Sequence, residues 1–174
     1  MNYNHSMVQK ISLAAMLHDI GNISTPINIL EKPGKLTNEE MEIMREHVTI
    51  TYEILENLGS QEVQEYASYH HEKLDGTGYP FGLKKDQLSI PARIIIVADI
   101  MGALMAARSY KESFPKDKII NILSELAAQS KIDQSLVDLV IDKYDDFCQY
   151  LSSLSNRYHK FKNEYMSIVT KMSP

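Results

Sequence analysis

An all-α fold is what this sequence predicts, and three observations predict it. Apolar residues recur at steps of three and four along most of the chain. Thr37 and Glu40 stand at capping-box spacing ahead of one such run. No stretch keeps the apolar–polar alternation of a half-buried strand.

Taken in order, Val8, Ile11, Ala14, Ala15 and Leu17 predict a helix over 7–18. It ends in His18-Asp19-Ile20-Gly21, with Gly21 placed to stop it. Residues 22–36 hold Pro26, Pro33 and Gly34 and read as a loop with a short turn at 27–30. The capped helix runs from Thr37 to Leu58 and carries His47, which Ile43, Ile50 and Ile54 put on an inward face. A helix over 61–71 follows, with Val63, Tyr66, Ala67 and His70 on one side. The loop 72–89 holds Gly76, Gly78, Pro80 and Gly82. Ile90-Pro91 opens the most apolar helix, Ala92 to Ala107, with Asp99 in its middle. Ser113-Phe114-Pro115 starts another, ending before Ser130.

Residues 133–172 read as one long helix or a helical pair. Val137, Val140, Tyr144, Phe147, Leu151, Leu154, Tyr158, Phe161, Tyr165, Ile168 and Met172 make a heptad seam. That seam fits an amphipathic helix folded onto its own bundle, or a homodimer through the C-terminal helix. The boundary expected is 1–145 for a helical domain and 146–174 for an extension.

Composition narrows the functional classes. The 174 residues suffice for one domain with a sizeable core, and the net charge of -5 argues against gripping polymeric nucleic acid. The one cysteine, Cys148, excludes an internal disulfide and fits a reducing, cytoplasmic setting. No run of 18 apolar residues predicts a membrane span, and no leader pattern opens the chain.

Four of the six histidines, His18, His47, His70 and His71, fall on inward faces or helix ends, whereas His5 and His159 stand apart. Asp19 follows His18, and Asp99 is buried mid-helix, where an unpaired carboxylate is costly. Imidazoles and a bridging carboxylate are the donors that hold two metals roughly 3.5–4 Å apart, which share a hydroxide and clamp a phosphate. Two adjacent histidines can face one ion only where the backbone leaves regular helix, and the glycines after His71 permit that break. Singly, each residue has a plainer reading. An inward histidine is more often a hydrogen-bonded core residue. His18-Asp19 also fits a capping pair, and Asp99 also fits a buried acid satisfied by Arg93 or by a hydroxyl.

His18-Asp19-Ile20-Gly21, Lys32-Pro33-Gly34-Lys35-Leu36-Thr37, His47, His70 to Pro80, Val97-Ala98-Asp99 and Arg108-Ser109-Tyr110 together resemble the HD-GYP domain in order and spacing over residues 8–145. The resemblance implies an all-α, HD-type helical bundle and a phosphodiesterase acting on cyclic di-GMP or a related cyclic dinucleotide. It implies two divalent metals, commonly iron or manganese. Asp19 would bridge them, His47, His70 and His71 would complete one, and His18 and Asp99 would belong to the other. Arg108 and Lys111 would hold substrate phosphate. Gly78, Tyr79 and Pro80 would form the loop that names the family, which shapes the substrate groove or contacts diguanylate cyclase domains. The plainer reading of Tyr79 is a packed ring closing that loop.

Three departures bear on activity. The family places another histidine on a helix before His-Asp, and the 17 residues that precede His18 here are expected not to supply it. His5 would lie about 20 Å away along a continuous helix. Asn22 stands where the family has a lysine beside the phosphate, a loss of about 10²-fold in rate. Gly102 stands where the family has a second aspartate, and glycine in mid-helix costs about 1 kcal/mol. Catalytic roles fall on His18, Asp19 and Asp99, in the half-site that has lost support. The leading expectation is hydrolysis through a metal-bound hydroxide. The alternative is a catalytically impaired module that binds a cyclic dinucleotide or a protein and keeps one metal.

Overall fold

The computed structural model describes residues 4–105 and 114–172. Every extended element among them is a helix: α1 His5–Leu17, α2 Ile27–Leu30, α3 Asn38–Glu56, α4 Gln61–Ser68, α5 Ile90–Met105, α6 Lys116–Ala128, α7 Gln134–Asp142 and α8 Tyr144–Met172. The all-α expectation holds, and an antiparallel bridge between Asp75 and Lys84 is the isolated β pairing. None of the described helices is long and apolar enough to cross a membrane. The chain divides into two compact units, 1–137 and 138–174.

In the first unit, α1, α3, α4 and α5 meet around Ala14, Leu55, Val63, Tyr66, Ala67, Ala92 and Ile95. Burying a large aliphatic side chain of this kind stabilises by roughly 1.5–3 kcal/mol. Helix ends follow local chemistry. Asn4 caps α1 by accepting from the Met7 amide at 2.8 Å. Thr37 and Glu40 form both bonds of the expected capping box on α3. The Ser60 hydroxyl caps α4.

Three local expectations change. The helix expected over 7–18 stops at Leu17, and a tight 3-10 turn, Ile20–Ser24, occupies what read as loop. On α3 the inward face is His47, Val48, Thr51 and Leu55, while Ile43 and Ile54 are exposed. The helix expected over 61–71 ends at Ser68, so both histidines lie beyond it.

In the second unit the backbone breaks at Lys143, making a helical pair. Val140 and Tyr144 begin the seam buried, whereas Leu151, Leu154, Tyr158, Phe161 and Tyr165 are exposed.

Candidate metal centre

The turn carrying Asp19 is pressed onto α3. Gly21 is buried there, and a Cβ added to it would stand 1.9 Å from the His47 carbonyl oxygen. Gly21 therefore serves close approach, a different role from the helix stop expected of it. Thr51, fully buried, locks the contact: its hydroxyl donates to the His18 carbonyl at 3.0 Å and accepts from the Gly21 amide at 3.0 Å. His70 and His71 follow the end of α4, and leaving the helix lets neighbours in sequence face the same point.

Four imidazoles and two carboxylates converge. His47 Nε2 and His70 Nε2 are 3.3 Å apart. Asp19 Oδ1 lies 3.3 Å from His47 Nε2 and 3.8 Å from His70 Nε2. Its Oδ2 lies 3.4 Å from His18 Nε2, which is 3.6 Å from Asp99 Oδ1. His71 Nδ1 is 3.9 Å from Asp99 Oδ2. One atom from each of His47, His70 and His71 falls within a 4.8 Å set that could hold a metal ion.

The rings are aimed by their own chain segments. His18, His47 and His70 each place Nδ1 at hydrogen-bonding distance from the carbonyl three residues back, at 2.8, 2.6 and 2.7 Å. A ring that donates through Nδ1 presents a bare Nε2, the usual tautomer of a ligating histidine. Nε2 of His47 and Nε2 of His70 thus face each other at 3.3 Å, the placement two ligands of one cation would take. This donor set fits a divalent metal.

Electrostatics divide the cluster. Burial, reinforced by the neighbouring His71, pushes His70 down to about 3, so it stays neutral and able to ligate. Burial also lowers His71, against the opposing pull of Asp99. The carboxylates of Asp19 and then Asp99, accepting from His18, raise it to about 10. Asp19 sits well below the usual carboxylate range because of its contacts with His18 and then His47. Burial raises Asp99, but its contacts with His18, His70 and His71 prevail and lower it overall. Arg93 is not its partner: that guanidinium binds Asp133 at 3.0 Å.

The loop after His71 is built on Glu72, whose buried carboxylate accepts from the Phe81 amide at 2.7 Å and the Leu83 amide at 2.9 Å. Gly78 passes so close that a Cβ would stand 2.4 Å from the Glu72 Cα. Tyr79 packs its ring 4.9 Å from that of His71, under the Arg45 guanidinium at 5.2 Å, and burial raises its hydroxyl to about 12. The packed-ring reading of Tyr79 therefore accounts for its contacts. The Tyr79–Pro80 peptide is cis.

A cleft of about 600 Å³ opens beside the histidines, lined by Asp19, Asn22, Lys32, Lys35, Tyr79 and Asp99 among others. Lys32 is bound by Glu40 at 2.6 Å, and Lys35 also lines the cleft. Beside His18 and Asp99, no described residue lies within 4 Å of where a Cβ on Gly102 would be. His5 opens α1 and His159 lies exposed on α8. Arg108 and Lys111 lie outside the described residues.

Sequence reasoning missed the roles of Thr51, Glu72, Arg45 and Lys35. Thr51 sits four residues after His47, hence on the same helix face, and Lys35 stood in a stretch read as loop and matched to the family, without a role of its own.

The HD domain family matches residues 1–136. The chain belongs to the HD domain family. Its His-His-Glu to Gly-Tyr-Pro segment and its relatives make it HD-GYP-like. It is 35% identical over 150 residues to a 3'3'-cGAMP-specific phosphodiesterase 1 of Vibrio cholerae, covering 86% of this chain and 35% of that one. It is 44% identical over 119 residues to the cyclic di-GMP phosphodiesterase response regulator RpfG of Xanthomonas campestris, covering 67% and 32%. The HD chain thus spans about a third of the length of these curated relatives. In fold it is similar to Bd1817, an HDG"Y"P protein of Bdellovibrio bacteriovorus, with a TM-score of 0.67, 21% identity and coverage of 82% of this chain and 45% of the other.

Proposed function

We propose that this chain is a regulatory HD-GYP-like module that binds a metal and a cyclic dinucleotide in the cytoplasm, with hydrolysis impaired. The observation that carries it is asymmetry. His47, His70 and His71 gather as a set that could hold an ion, while on the His18–Asp99 side no described residue lies within 4 Å of where a Cβ on Gly102 would be. In this reading His47, His70, His71 and Asp19 hold one divalent metal, iron or manganese. A second would have His18, Asp19 and Asp99 alone from this chain. Bound metals supply a water nucleophile active at neutral pH and neutralise phosphate charge.

The remaining chemistry belongs to the chain. Asn22 donates a hydrogen bond to phosphate oxygen but adds no charge. Arg108 and Lys111 hold phosphate, as the family resemblance implies. Tyr79, held by His71 and Arg45, walls the cleft against one face of the nucleotide. His18 holds a proton at Nε2 between Asp19 and Asp99. The Gly78-Tyr79-Pro80 loop offers the surface for a cyclase domain, and the C-terminal helix offers one for a second copy.

The second reading is an active phosphodiesterase, with His18, Asp19 and Asp99 catalytic. One observation favours it: the two oxygens of Asp19 approach His47 and His18 respectively, as a bridging ligand would. One experiment separates the readings. The protein is loaded anaerobically with ferrous iron or manganese and its metal counted. Cyclic di-GMP and 3'3'-cGAMP are then titrated calorimetrically, and products are separated by chromatography. Binding without linear product is the expected result. Sustained turnover overturns the impaired reading and establishes the second, and absence of nucleotide binding overturns both.

A further inference from the structure

The helix α8 carries an apolar stripe that its own chain leaves uncovered. Leu151 is 46% exposed, Leu154 37%, Tyr158 60%, Phe161 66% and Tyr165 57%, at alternating steps of three and four. A seam with a 3.5-residue period matches another helix of the same period. A second copy of this chain carries one by definition, and two-fold pairing makes the stripe self-complementary.

Charges beside the seam choose the orientation. With Leu151, Tyr158 and Tyr165 at a and Leu154 and Phe161 at d, Arg157 and Glu164 occupy g and Ser155 and Lys162 occupy e. A parallel, in-register pair sets each Arg157 against Lys162 of the other copy, two like-charge contacts. An antiparallel pair that layers Tyr158 on Phe161 and Leu154 on Tyr165 sets each Arg157 against Glu164 of the other copy, two opposite-charge contacts. The helix also opens on Asp145 and Asp146 and carries Arg157, Lys160, Lys162 and Lys171 farther along. Antiparallel copies lay acidic ends beside basic ends, and parallel copies stack like on like. The paired rings of Tyr158 and Phe161 then sit about the two-fold axis, where their bulk fills the centre and edge-to-face packing is available.

We propose that α8 forms an antiparallel homodimer with a second copy of this chain, centred between His159 and Lys160. This surface does not depend on the metal or nucleotide reading, so either can fail without the other.

Two measurements on the full chain test it. Sedimentation equilibrium gives the oligomeric state, and Arg157→Glu reads the orientation. In the antiparallel pair that substitution sets carboxylate against Glu164 and weakens dimerisation by roughly tenfold. In a parallel pair it would face Lys162 and tighten the dimer. Glu164→Arg weakens likewise, and the double exchange Arg157→Glu with Glu164→Arg restores the parent affinity. Circular dichroism of each variant shows that the helix is retained. The single cysteine, Cys148, provides an independent ruler. Spin labels there lie about 35 Å apart along the axis in the antiparallel register, against less than about 20 Å in the parallel one. A monomer at all concentrations, a short label distance, or tightening by Arg157→Glu overturns the proposal.

Discussion

Two glycines of this chain should respond to the same substitution with opposite signs. At Gly21 a methyl group would stand 1.9 Å from the His47 carbonyl oxygen and 2.7 Å from the Thr51 amide nitrogen. Carbon and carbonyl oxygen normally approach to about 3.3 Å, so the turn must leave α3 by about 1.4 Å. That movement strains a packed contact at about 1–3 kcal/mol. It also loosens two hydrogen bonds through Thr51 at about 1 kcal/mol each. Gly21→Ala should therefore cost about 3–5 kcal/mol, a fall in Tm of about 10 °C for a domain of this size. Asp19, two residues away, shifts with the turn, and bound metal should drop. At Gly102 a methyl group meets no described residue within 4 Å, so Gly102→Ala should stabilise by about 1 kcal/mol. The assay is thermal melting with excess chelator, so that metal binding does not enter the comparison, followed by metal analysis of each variant. A Gly21→Ala protein that melts with the parent and keeps its metal would refute the close-approach argument. A destabilised Gly102→Ala protein would refute the claim of open space.

Other outcomes follow from the same geometry. Replacing His47, His70 or His71 by alanine should remove most bound metal, whereas His5→Ala and His159→Ala should leave it unchanged, as metal counting after gel filtration will show. Glu72→Gln keeps one acceptor oxygen for two amides and should cost about 2 kcal/mol in urea unfolding, with faster exchange of the Phe81 and Leu83 amides. His70 has a folded pKa near 3, below its ordinary 6.5, so its contribution is fully present above pH 6.5 and is lost as pH falls toward 3. Chelated protein should lose stability between about pH 6.5 and 4.5, above the carboxylate range, and His70→Gln should lose less. His18, raised to about 10, acts oppositely: its stabilisation is full below pH 6.5 and fades as pH rises toward 10. His18→Gln should flatten that alkaline decline.

The sequence was most readable where local chemistry decides structure. Capping at Thr37 and Glu40, the apolar period of α3 and α5, and the run from His70 to Pro80 all pointed to elements that are present. It was least readable where backbone meets backbone. Nothing local in Ile20–Ser24 announces a 3-10 turn, because Gly21 answers to the His47 carbonyl, which lies far along the chain. The same holds for Thr51, whose two bonds reach back to His18 and Gly21. Ile43 and Ile54 misled as to the face of α3 because apolar residues also occupy surfaces. The six residues flagged for metal chemistry do converge, but their spacing could not reveal that Gly102 borders an opening.

The bonds from His18, His47 and His70 to carbonyls three residues back make ring direction a property of single helical turns. Among the described residues Asp19 and Asp99 show no such strut; they are oriented by the imidazoles they face. When an ion enters or leaves, the rings therefore act as a fixed frame and the carboxylates as the moving parts. Carboxylate resonances of these two aspartates, rather than ring resonances of the three histidines, are where the loaded and empty protein will differ most in conformation.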